Sequence, residues 1–375
     1  MANSPPPDLR QLRQTLDVID QQLLDLIGER QQTIAAIGEI KRGIGKPLRD
    51  FAREKEVLAL AAGHADARGL DRSLAHELMK LLIQHSLTTQ ENEQLRAEAR
   101  GDGRRALVVG GAGRMGRWFA RFLDSQGFVV ELVDPALAAG GTSAEGFAQR
   151  GRLDQGALDQ ELILIAAGLE ASNAVMLELA RLRPPGVVLD LASIKAPLAT
   201  GYQALQAAGV AVASLHPLFG PSAVLLADRH VVVIDLGAPR ATALARELFA
   251  ATTAVVVDMS LAEHDALMAE VLGLSHVLNI VFAAALAAGG ADERRLERIS
   301  STTFDAQTRV SRAVVNENPD LYFEIQKHNP NSAEVLDRLA KALQELRAAL
   351  DADDRPRFAA LMRAGQKQLG QLAGS

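Results

Sequence analysis

The 375-residue chain carries 40 Lys and Arg against 46 Asp and Glu, a net charge of -6, so it is long enough for two or three domains and lacks the positive excess that would draw it to nucleic acid. It has no cysteine, which excludes disulfides and thiolate metal sites, and with no signal peptide a cytoplasmic protein is expected. Residues 1–7 read as a disordered proline-rich tail. Residues 8–41 then read as one helix, because Leu12, Leu16, Ile19, Leu23, Ile27, Ile34 and Ile37 recur at three- and four-residue steps. Such a helix is roughly 50 Å long, more than a small helical domain covers by itself, and a partner chain is the simplest cover.

Two cations interrupt the apolar stripe. Arg30 and Lys41 lie three turns apart, so they point the same way, about 16 Å apart along one face. Buried cations need anionic partners. A further charged cluster, Arg49, Asp50, Arg53 and Glu54, leads into a second helix over 53–62. A third helix over 73–96 carries Ser86 and Gln90 one turn apart, able to face the same cavity. The implied site is small, basic and buried, with no nucleophile and no metal ligands, and it suits a dianion held in shape rather than attacked.

Over residues 9–94 these features resemble the all-helical chorismate mutases that dimerise through a long first helix. The resemblance implies that Arg30, Lys41, Arg53, Ser86 and Gln90 form a chorismate site with Asp50 and Glu54 alongside. It implies too that Arg13, on a different face of the first helix, is lent to the partner's site. Chorismate would rearrange to prephenate there, with Lys41 and Gln90 stabilising charge on the breaking ether oxygen and the arginines holding the carboxylates.

Residues 97–105 read as a linker between this domain, 1–96, and an α/β domain over 106–258. A strand over 106–109 runs into Gly111-Ala112-Gly113-Arg114-Met115-Gly116, which opens a helix over 114–125. This is the spacing of a dinucleotide-binding turn: the first glycine for a tight turn, the second for close approach of a pyrophosphate, the third for helix–strand packing. The free N–H groups of the helix start form an anion site. A second strand, 128–133, ends in Asp134, placed to bind both ribose hydroxyls of NAD and to repel the 2′-phosphate of NADP. A Rossmann-type, NAD-binding domain is expected.

Strands follow over 162–166, 187–191 and 210–215, with a helix over 172–182. Ser193 and Lys195 follow the second of these strands and His216 the third, at the carboxyl ends where such sheets keep functional residues. After strands over 231–234 and 254–257 the pattern is wholly helical, giving a third, all-α domain over 259–375. Its apolar stretch, 271–288, contains His276 and Asn279, so a packed helix is expected rather than a membrane span. Ala- and Leu-rich helices of this kind pack against a partner subunit, and 332–350 and 355–369 read as amphipathic scaffold helices.

The stretches DLASIK, from Asp190, and HPLFGP, from His216, resemble signatures of the prephenate dehydrogenases, as do Glu263-His264-Asp265 and His276 in their places. With the mutase-like segment in front, nearly the whole chain resembles the bifunctional chorismate mutase/prephenate dehydrogenases of tyrosine biosynthesis. The resemblance implies a homodimer and oxidative decarboxylation of prephenate with NAD. His216 would act as base on the substrate's ring hydroxyl, Ser193 and Lys195 would line the crevice near the nicotinamide, and His264 would contact substrate.

The chain departs from that family in three places. Ala166-Ala167-Gly168 stands where many members have Ser-x-Pro, Asp305 stands for one family arginine, and Arg312 lies one residue upstream of another, with Arg309 a second candidate for gripping the ring carboxylate. Two other readings therefore stay open: a 4-amino-4-deoxyprephenate dehydrogenase with a fused mutase, and a degenerate sensor of NAD and an aromatic ligand.

Overall fold

Asp8 opens the first helix by a reciprocal cap, its carboxylate accepting from the Gln11 N–H while the Gln11 side chain accepts from the Asp8 N–H. The structure, a computed structural model, describes residues 8–44, 50–97, 101–137, 141–223, 226–227, 229–290, 296 and 298–372. The tail 1–7, Arg49 and part of the linker lie outside the described residues. Helix α1 (Leu9–Gly43) packs on α3 (Arg72–Ala97), which pairs with α2 (Phe51–Arg68). Leu9, Leu12, Leu16, Ile19 and Leu23 are exposed along the first half of α1, so the apolar stripe has no cover within the described residues.

A nine-stranded sheet follows. Its strands are β1 (Arg105–Val109), β2 (Val129–Val133), β3 (Gly141–Thr142), β4 (Ala148–Arg150), β5 (Leu162–Ile165), β6 (Val187–Asp190), β7 (Val212–Pro217), β8 (His230–Ile234) and β9 (Val255–Met259). The order is β3-β4-β2-β1-β5-β6-β7-β8-β9, parallel except for the β3–β4 and β7–β8 pairs. β5 is a continuous run of buried Leu and Ile, and β1 after Arg105 and β6 before Asp190 are likewise buried and apolar, as strands covered on both faces require. The covering helices are α4 (Arg114–Ser125), α5 (Leu169–Leu182), α6 (Ala199–Ala207) and α7 (Pro239–Glu247). Because β1 lies between β2 and β5, the direction of winding reverses there, which opens a crevice at the carboxyl ends of β1 and β5.

The last third is helical. α8 (Leu261–Met268) continues through a π-helical segment (Ala269–Leu274) into α9 (Ser275–Ala288), against which α10 (Thr302–Val315) packs. α11 (Pro319–His328), α12 (Ser332–Asp351) and α13 (Arg355–Leu372) complete it. The 28-residue run Leu261–Ala288 is long and apolar enough to cross a membrane by length and composition. Its His264, Asp265 and Asn279 are nevertheless buried, and Asn279 accepts from Gln307 and Ser311 of α10.

Candidate active sites

The helical site is built where α1 and α3 lie side by side. Arg30 Nη1 donates to Ser86 Oγ at 2.5 Å and to the Leu82 carbonyl at 3.1 Å, and Ser86 Oγ donates to the same carbonyl at 2.6 Å. One turn on, Gln90 Nε2 donates to the Ile34 carbonyl at 3.1 Å. Gly38 makes room for that amide, since a Cβ there would stand 3.3 Å from Gln90 Cγ. Lys41 and Glu54 are half-buried. Arg30, Ser86 and Gln90 are thus brought together as expected of one cavity.

Two residues expected at this site are engaged by their own helix. Arg53 is exposed and turned outward to Glu56 at 2.6 Å, because the i,i+3 carboxylate on its own helix is the nearest anion. Asp50 caps α2, accepting from the Arg53 N–H at 3.0 Å, which satisfies an orphan donor of that helix and commits the carboxylate. Arg13 is exposed on the outer face of α1, away from Arg30.

In the α/β domain, the tight turn belongs to Gly110 rather than Gly111. Gly110 has φ +83 and lies so close to β5 that a Cβ would come within 2.6 Å of the Ala166 carbonyl oxygen. Gly111 is needed instead for packing, as its Cβ would meet Leu132 of β2 at 2.7 Å. Gly116 lets α4 lie on the turn, since a Cβ there would collide with the Gly110 carbonyl. Gly113 is the N-cap of α4 and brings no side-chain cap, and around it only the Gly110 oxygen lies within 4 Å of a Cβ position. A pyrophosphate therefore fits against the N–H groups of Arg114, Met115 and Gly116. Asp134 is half-buried beside the loop, its carboxylate accepting from the N–H groups of Ala112 at 3.2 Å and Ala136 at 2.9 Å. Across the crevice, Arg114 Nη1 meets Glu317 at 3.2 Å, joining the glycine loop to the end of α10.

At the end of β7, buried His216 sits in a line of three groups. Its Nδ1 lies 2.8 Å from His264 Nε2, and His264 Nδ1 lies 2.8 Å from Asp265 Oδ1. Burial, then the charge of Lys195 and the neighbouring His264, push the His216 imidazole well below its ordinary pKa, so it stands neutral at neutral pH. Burial alone would raise the Asp265 carboxyl. Hydrogen bonds from His264 and from the N–H groups of Lys195 and Ala196 outweigh this and hold it below its usual value. A neutral imidazole backed by a fixed carboxylate can take a proton from a hydroxyl.

Further residues expected at this site are placed as follows. Lys195 does not line a crevice: its ammonium is wholly buried, 3.0 Å from Asp190 Oδ1 and 2.8 Å from the Leu215 carbonyl, while Tyr202 donates to Asp190 Oδ2 at 2.9 Å. His264 is fully buried with both ring nitrogens engaged, so it has no atom left for substrate. Arg309 and Arg312 are exposed on the outer side of α10 and line, with Phe304 and Asp305, a groove of about 940 Å³ whose walls do not include His216. The packing of α10 is set by its inner residues Gln307 and Ser311 on Asn279, which turns both arginines away. Ser193 stays half-buried at the end of the β6 turn. His276 lies tilted against Tyr322 with ring centroids 4.2 Å apart, and burial lowers its pKa to about 4.

Four functional neighbours escape a reading of the sequence: Asp190, Tyr202, Asp265 and Glu91. Asp190 and Asp265 lie within the quoted motifs and Tyr202 about two turns beyond Lys195, and only the fold shows which way their side chains point. Glu91, next to Gln90 on α3, is buried and accepts from the N–H groups of Leu226 at 2.9 Å and Thr253 at 2.7 Å, pinning the helical domain to the α/β domain.

Two family models match the chain, chorismate mutase type II over residues 12–91 and the prephenate dehydrogenase dimerization domain over residues 260–364. A T-protein of Enterobacter agglomerans is 27% identical over 98% of this chain and 94% of its own. A 4-amino-4-deoxyprephenate dehydrogenase of Streptomyces pristinaespiralis is 29% identical over 71% of this chain and 92% of its own. The crystal structure of prephenate dehydrogenase from A. aeolicus in complex with hydroxyphenyl propionate and NAD+ shares the fold of the rear two domains, with a TM-score of 0.57 at 16% identity over 72% of this chain and 98% of that one. With a mutase domain in front, a prephenate dehydrogenase domain behind, and similarity to a T-protein along nearly its full length, the chain belongs to the bifunctional chorismate mutase/prephenate dehydrogenases.

Proposed function

We propose that this chain converts chorismate to prephenate in its helical domain, 1–96, and oxidises prephenate to 4-hydroxyphenylpyruvate in the domains over 106–258 and 259–375. The observation that carries this is the coexistence of two built sites in one chain: the Arg30–Ser86–Gln90 cluster between α1 and α3, and His216 at a strand end beside a dinucleotide turn. In the first, Arg30 holds a carboxylate of a folded conformer, and Lys41 and Gln90 meet the ether oxygen as it gains charge. Arg13 from a partner completes that site, and the exposed apolar half of α1 supports a homodimer.

In the second site, Gly113, Arg114, Met115 and Gly116 hold the pyrophosphate of NAD and Asp134 its ribose. NAD bound there would supply the acceptor for hydride from C4 as the ring carboxylate leaves as carbon dioxide. His216 Nε2 takes the C4 hydroxyl proton, drawing charge onto that oxygen as it becomes a phenol. Ser193 borders the same crevice.

A second reading, with an amine in place of the C4 hydroxyl, is favoured by Ala166, which removes a hydroxyl from the end of β5, and by the similarity to the Streptomyces enzyme. Comparing turnover of prephenate and its 4-amino analogue separates the two.

The division into two sites is tested with Lys41→Ala. Removal of a preorganised donor of this kind costs roughly 10²-fold in mutase rate. Added prephenate should be oxidised at the wild-type rate by the same preparation. Loss of both activities in a folded variant would contradict two separate sites.

A further inference from the structure

Asp265 is held through both its carboxylate and its backbone carbonyl. Oδ1 accepts from the Lys195 N–H at 2.9 Å and Oδ2 from the Ala196 N–H at 2.8 Å, while the backbone carbonyl of Asp265 accepts from Asn329 Nδ2 at 2.7 Å. An ionised carboxylate only accepts. The proton between it and His264 Nδ1, 2.8 Å apart, therefore belongs to the imidazole. A neutral imidazole carries one N–H, so His264 Nε2 is bare and must accept. The atom facing it at 2.8 Å is His216 Nδ1, which must then donate. His216 is left with its lone pair on Nε2.

We propose that Asp265 and His264 are a positioning pair that sets the tautomer of His216, keeping its proton on Nδ1 and presenting a bare Nε2 to the substrate hydroxyl. This rests on the reading of His216 as the base. Neither residue touches substrate; both act through His216. When Nε2 receives the hydroxyl proton, Nδ1 keeps its own, and the positive charge that forms is stabilised along the Nδ1–H bond to His264 and by the carboxylate beyond it. The other charges facing the pair come from the β6 turn. Lys195 Nζ, paired with Asp190, disfavours positive charge on both rings, and Asp190 and Asp265 favour it on His264.

The most direct test is the nitrogen spectrum of the full-length protein carrying 15N-histidine, with the His216 signals assigned by their loss in His216→Gln. At pH ~7.5 the expected pattern is a protonated Nδ1 and a bare Nε2. A proton on Nε2 overturns the proposal. This readout does not depend on the substrate, so its failure is distinct from a failure of the functional reading.

Kinetics give the second arm. In Asp265→Asn the side-chain amide can donate to His264 Nδ1, which reverses the chain and puts the His216 proton on Nε2. A wrong-tautomer substitution of this type costs on the order of 10³- to 10⁴-fold in kcat, with KM for prephenate near wild type. His264→Gln keeps an acceptor for His216 and a donor for Asp265, and should retain at least tenfold more activity than His264→Leu. Equal activity in the Gln and Leu variants, with prephenate formation from chorismate unchanged in both preparations, overturns the proposal.

Discussion

Replacing His216 with asparagine should lower kcat for prephenate oxidation by roughly 10²- to 10⁴-fold, the contribution of a positioned general base, while chorismate is still rearranged at the wild-type rate. The size of the effect follows from where the imidazole sits. It is buried, and burial, the nearby ammonium of Lys195 and the second imidazole all keep it neutral, so its lone pair is available without prior loss of a proton. The sign of the pH dependence follows too. A base must be unprotonated to work, and this one stays so well below the ordinary imidazole value of 6.5. The acid limb of kcat/KM for prephenate should therefore fall below pH 6.5 in the wild-type enzyme. A His216→Asn variant with wild-type kcat, or an acid limb above pH 7, would show that another group does this work.

The second large effect is on stability. Lys195→Met removes the cation from an ion pair whose two side chains are both fully buried. Asp190 would keep the Tyr202 hydroxyl and the Ala192 N–H, but its negative charge would have no counterpart in the interior. Breaking a buried pair in this way costs about 3–5 kcal/mol, because the remaining ion stays desolvated. Urea unfolding should show that loss, and the double variant Lys195→Met/Asp190→Leu should recover much of it, since no ion is then left behind. A single variant within about 1 kcal/mol of wild type would mean that water reaches Asp190.

What the sequence discloses here is set by what is local. The long first helix, the glycine turn and the buried strands are legible because periodicity and turn chemistry are properties of neighbouring residues. The order of the domains is equally plain. The two-residue β3 and three-residue β4 are too short to carry a pattern, and the π-helical turn at 269–274 keeps its helical composition while shifting the face of everything after it. Site residues divide in the same way. Arg30, Ser86 and Gln90 meet because helical spacing puts each on the inner face. Lys195 is placed correctly at a strand end, yet nothing in DLASIK tells that its side chain turns back to Asp190, five residues earlier. Arg309 and Arg312 share a helix face, as their spacing requires, but the rotation of that helix is decided by Gln307 and Ser311 meeting Asn279 some thirty residues away. His264 and Asp265 are visible as a motif, whereas their alignment behind His216 depends on how α8 docks against β7.

The central claim, that one chain performs two consecutive reactions, is tested by absorbance in the NADH band with the purified protein. Given chorismate and NAD, the account predicts NADH after a lag while prephenate accumulates; given prephenate and NAD, it predicts NADH without a lag. Prephenate formation from chorismate with no NADH from either substrate would contradict it.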